Sequence, residues 1–187
     1  MLSIQKAEQL LSDNVKLLDG MNKYKQIMAV LYQTDVSTDM DFRRTFNRFF
    51  VMRSRTPLYY DKFYSFLEAR KNVGATFEET LEELKSANGK LEVSFSSKLV
   101  HVIDPTQPIW DRNVSVLHFG MKVPGYGMPI AIRQKEVIKV YHDYCRRFYE
   151  YLESNEGQEL IHLFDGKHPN SGLTDVKKLD FILWADV

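Results

Sequence analysis

The run from residue 130 to residue 153 places Val137, Tyr141, Tyr144, Phe148 and Tyr151 at steps of three and four residues. That spacing keeps one face of a helix apolar, whereas a strand would send members three residues apart to opposite sides. A long helix with an aromatic face needs other elements to cover it. The remaining sequence supplies more helices. It has 12 Phe and 10 Tyr against 9 Gly and 6 Pro, so long side chains abound and breakers are few. No alternating run persists long enough to predict a sheet. The fold class predicted is all-α: one compact multi-helix domain over residues 1–187.

Helix boundaries can be placed along the chain. Ser3 opens a helix with Ile4, Ala7, Leu10, Leu11, Leu17 and Leu18 on its apolar face, and Gly20 is a C-terminal cap. A second helix follows Asn22, carrying Tyr24, Ile27, Met28 and Leu31. After the turn-forming "TDVSTD", a third carries Phe42, Phe46, Phe49 and Phe50 until Pro57 interrupts it. The stretch from Tyr59 to Asn72 is amphipathic and ends before Gly74. Thr76 and Glu79 have capping-box spacing, and Asn88-Gly89 closes the helix they open. Ser94 to Ile103 reads as a short buried helix stopped by Asp104-Pro105, and Asp111 as the N-cap of a helix running to Gly120. "KVPGYGMP", residues 122–129, is the candidate subdomain boundary or lid. A short helix around Leu160 and the loop "DGKHPNSG" lead to Thr174 and a terminal helix sealed by Phe181 and Trp184.

Lys+Arg and Asp+Glu are both 25, so a chain coated in positive charge for nucleic acid or anionic lipid is excluded, though a local basic face is not. The single cysteine, Cys145, allows no internal disulfide and no cysteine cluster for zinc. The first residues carry charges too early for a signal peptide, and no apolar run approaches the ~20 residues that cross a bilayer. The expectation is a soluble cytoplasmic protein without membrane association. There is no Walker loop, G-x-G-x-x-G, G-x-S-x-G or zinc-helix spacing among the five histidines, so neither a metal nor a cofactor is predicted.

Two segments carry candidate chemistry. In "DFRRTFNRFFVMRSR", residues 41–55, five arginines interleave with four phenylalanines. On a helix the phenylalanines anchor one side while Arg43, Arg44 and Arg48 lay a basic edge along a phosphate backbone. An ordinary amphipathic helix with a solvated cationic face accounts for the same pattern. In "SFSSKLVHVIDPTQPIWDRNV", residues 94–114, a proline-bearing turn joins a helix carrying Lys98 to one opened by Asp111. A short connection can bring the two into one cleft. There a desolvated Lys98 amine would be a nucleophile and Asp111 would stabilise cationic character or guide a proton. The structural alternative makes Asp111 a helix cap and leaves Lys98 snorkelling or paired.

The lysine, apolar helix, proline turn and "PIWDRNV" resemble the core of the helix–hairpin–helix DNA glycosylases. That resemblance implies a glycosylase-like helical scaffold acting on DNA, with Lys98 matching the Schiff-base lysine and Asp111 the catalytic aspartate. More broadly, "EVSFSSKLV…DPTQPIWDRNV" and "FDGKHPNSGLTDVKKLDFILW" are similar to a family of uncharacterised bacterial proteins, which implies a bacterial origin. The function expected is nucleic-acid binding with a glycosylase-like cleft around Lys98 and Asp111. The alternative is a non-enzymatic helical interaction module in which both residues are structural.

Overall fold

A computed structural model describes residues 2–12 and 14–186. Among them there are ten helices and no strand: α1 (Ile4–Ser12), α2 (Val15–Leu31), α3 (Met40–Phe49), α4 (Pro57–Arg70), α5 (Phe77–Asn88), α6 (Val93–Ile103), α7 (Arg112–Phe119), α8 (Ile130–Glu153), α9 (Asn155–Lys167) and α10 (Asp175–Ala185). The protein is all-α. Its contacts gather into two compact units, one of residues 18–104 and one of residues 105–187 with the first 17. The turn-rich residues 122–129 lie inside the second of these, not at the division.

Locally encoded ends form where the sequence places them. Thr76 and Glu79 make a reciprocal capping box on α5, and Gly89 closes that helix with φ 71°. Gly120 closes α7 with φ 63°, and Thr174 caps α10 through Lys177 N. These motifs each satisfy amides or carbonyls that a helix end leaves bare.

Gly20 is a correction: α2 does not stop or restart there but runs through both Gly20 and Asn22. Leu17, Met21, Tyr24, Ile27 and Leu31 bury one continuous face of it. That burial outweighs the ~1 kcal/mol cost of an interior glycine. The chain breaks earlier, where Asn14 Oδ1 accepts from Leu17 N at 3.1 Å, and Leu18, expected on the apolar face, is exposed. α3 likewise ends before Pro57, which instead starts α4 behind the Thr56 cap.

In the 18–104 unit, α4, α5 and α6 pack on one another. Phe46 gathers Phe50, Phe63 and Tyr64 at ring separations of 4.6, 5.4 and 5.8 Å. The Lys71 ammonium donates to the carbonyls of Leu31 and Thr34 at 3.2 and 2.8 Å, which closes the end of α2. His101 is fully buried on α6, with Nε2 3.0 Å from the Tyr24 hydroxyl.

In the other unit, α9 meets α1, α8 and α10. The aromatic face of α8 is buried as its spacing requires. Its tyrosines also capture the proline-bearing turn: Tyr141 donates to Pro108 O and Tyr144 to Ile109 O, both at 2.9 Å. Tyr149 bonds Thr106 O, and Thr174 Oγ1 donates to Pro105 O at 2.8 Å. A run of loop carbonyls is therefore satisfied by hydroxyls distant in sequence. Gly157 sits so close to the end of α8 that a Cβ there would lie 2.0 Å from Tyr151 O. Trp184, expected to seal the core, is instead 44% exposed, whereas residues Val176–Leu183 of α10 are all buried.

Candidate nucleic-acid interface

Lys98 projects from α6 and is half-buried within the 18–104 unit. Its Nζ donates to Phe50 O at 3.2 Å and stands 5.0 and 5.9 Å from the ring centres of Phe95 and Phe50. A carbonyl and two π faces suit an ammonium. Phe50 is the cap of α3, so the contact ties Lys98 to the end of the arginine-bearing helix.

The chain leaves α3 through Val51 at φ 55°, while Met52 N returns to Asn47 O at 2.9 Å. A left-handed residue with a return bond is the usual helix stop, but glycine normally occupies it, and a β-branched residue there is strained. Val51 is exposed, with exposed Arg48 and Arg53 on either side in sequence. Arg48 and Arg53 are the exposed arginines of this corner.

The five arginines divide by role. Arg43 donates to Val36 O and Ser37 O, pairs with Asp61 at 3.1 Å and lies over the Tyr64 ring, so it fastens the loop ahead of α3. Arg44 is exposed and paired with Asp41 one turn back. Arg55 pairs with Glu92 at 3.0 Å and covers the rings of Tyr59 and Phe95. A helical repeat shows which residues share a side, but not which of them a neighbouring loop recruits. Arg53 therefore joins the candidate surface, and Arg43 has a structural partner set.

Asp111 belongs to the other compact unit. Its Oδ1 accepts from Asn113 N at 2.8 Å and Val114 N at 3.2 Å, which is an N-cap. The structure thus builds Lys98 and Asp111 into separate units, each with local partners.

Beside α7 in that unit lies a groove of about 1110 Å³, lined by Trp110, Arg112, Val116, Lys122, Tyr126 and Arg133 among others. Residues 122–129 form one wall, tied down where Arg133 Nε donates to Pro124 O at 3.0 Å. Neither a family model nor a curated protein nor a solved structure matches this chain.

The remaining chemically versatile residues are dispersed. His142 and His162 are exposed on α8 and α9, and Cys145 is half-buried. Among the described residues no group of three or more His, Cys, Asp or Glu side chains could hold a metal ion. No helix of the described residues is long and apolar enough to cross a membrane.

Proposed function

We propose that this protein binds DNA through the corner where α3 ends, on a helical scaffold of the DNA-glycosylase kind. The observation that carries the reading is the Lys98 ammonium held against the cap of α3, beside the exposed Arg48 and Arg53. Arg48 and Arg53 on a short, Phe-anchored segment, with Lys98 of α6 bonded to its cap, suit a run of phosphates, because each phosphate contact releases a condensed counterion. On this reading the protein is cytoplasmic, and its bacterial origin rests on the resemblance of its sequence to uncharacterised bacterial proteins.

The expected signature is salt-sensitive binding of fluorescein-labelled duplex DNA, read by anisotropy at ~50 and ~200 mM salt. Replacing Arg44, Arg48 and Arg53 together by alanine should weaken binding at least about tenfold and reduce the salt slope by roughly 2–3. These residues are exposed, so the variant should melt like the parent. No duplex binding at low salt sinks the proposal.

Base excision through Lys98 has its own test. Borohydride trapping on damaged DNA that disappears in Lys98→Gln, with folding intact, supports a Schiff base on Lys98. Trapping retained in that variant assigns the nucleophile elsewhere. The non-enzymatic interaction module is the second reading, and the bonds of Asp111 to its own helix and of Lys98 to Phe50 O favour it. It predicts that Lys98→Gln and Asp111→Asn alter the melting temperature alone.

A further inference from the structure

The groove beside α7 contains a buried cation without a counter-ion. Arg133 is 6% exposed, and its guanidinium carbon lies 4.0 Å from the centre of the Tyr126 ring. Beyond its Nε bond to Pro124 O, its Nη groups meet no acceptor among the described residues, and no carboxylate there pairs with it. Those Nη groups are not sealed from solvent, and they face the groove that Arg133 lines, where an anion can meet them.

Tyr126 is 85% exposed while Arg133 backs its ring, so a broad aromatic face is left open to solvent. Exposed Arg112 and Lys122 line the same groove. Asp186 is the carboxylate that lines it, and Lys6 already pairs with that group. Charge and shape therefore favour a ligand that is both aromatic and anionic. Stacked aromatics inside a cationic groove are how single strands are held without sequence preference, since every base has a π face and every linkage a phosphate.

We infer that this groove binds single-stranded nucleic acid, with one base stacked on Tyr126 and the adjoining phosphates met by Arg133, Arg112 and Lys122. The site is separate from the α3 corner and uses none of its residues. Duplex DNA hides its base faces, so Tyr126 serves only an unpaired strand.

The test measures anisotropy of a fluorescein-labelled oligothymidylate of about twelve nucleotides, a length that spans one such site. Tyr126→Ala should weaken binding about tenfold or more, and Tyr126→Phe should stay within about twofold of the parent, as stacking requires. Arg112→Ala/Lys122→Ala should lower both affinity and salt slope. Tyr126 is exposed, so loss of fold does not confuse the result. Unchanged oligothymidylate affinity in Tyr126→Ala overturns the inference. So does competition by free thymidine monophosphate at the same affinity as the oligomer, which would mark a mononucleotide site. Oligomer binding that depends on Tyr126, with no duplex binding at all, leaves this inference standing and removes the α3 corner. Duplex binding that depends on the α3 arginines, with no oligomer binding, does the reverse.

Discussion

The Tyr144 hydroxyl donates to Ile109 O at 2.9 Å from the middle of α8, and the side chain is fully buried. Burial drives its pKa far above the ordinary tyrosine value, so it remains a donor. The carbonyl it meets stands two residues before Asp111, the cap of α7, and also accepts from Asp111 N at 3.1 Å.

Tyr144→Phe keeps the ring and removes the donor, while Ile109 O keeps its bond from Asp111 N at 3.1 Å. The expected cost is about 1–1.5 kcal/mol, read from the urea midpoint at unchanged slope. Tyr149→Phe deletes a bond at an exposed site, where water can replace the hydroxyl, and should cost under about 1 kcal/mol. Equal losses in the two variants would show that burial does not set the value of these bonds.

Lys177 and Asp180 form a 2.6 Å ion pair on α10 with side chains 3% and 9% exposed. Lys177→Met leaves the Asp180 carboxylate buried without this partner and should cost about 3–5 kcal/mol. Lys177→Met/Asp180→Leu removes both charges and should recover most of that loss. Urea unfolding of the two variants checks the pair. A double variant as unstable as the single one would assign the cost to packing instead.

His118 gives a pH-dependent prediction. Its side chain is 4% exposed, with Nε2 3.2 Å from Leu183 O and 3.7 Å from Asp186. Burial lowers its pKa below 6.5, more than Asp186 and the Leu183 carbonyl raise it. Just below pH 6.5 the unfolded chain therefore takes up a proton that the folded one refuses. The contribution to stability is complete above that pH and declines as pH falls toward the folded pKa. His118→Gln keeps an N–H for Leu183 O and removes the titration, so stability should fall less steeply between about pH 7 and pH 5. Urea midpoints across that range measure it, and an unchanged slope would assign the dependence to other groups.

What could be read from the sequence was what a few neighbouring residues decide. The Thr76–Glu79 box, the Asp111 cap, the closures at Gly89 and Gly120 and the aromatic face of α8 all depend on partners within a few positions. Their spacing is therefore their geometry. Asn14 offered the same kind of signal, a capping side chain for Leu17 N, which the apolar spacing on both sides obscured.

Tertiary structure alone decided which local preferences were overruled and where long side chains ended. Gly20 stays helical because a whole face of α2 is buried, and Val51 holds a position glycine prefers because the end of α3 requires a left-handed residue there. The same surroundings commit Arg43 to a loop and leave Arg48 exposed, place Lys98 at Phe50 O, and bury Arg133 behind Tyr126. A pattern of spacing states which side of a helix a residue is on. What that side meets depends on residues tens of positions away, brought close only when the helices pack.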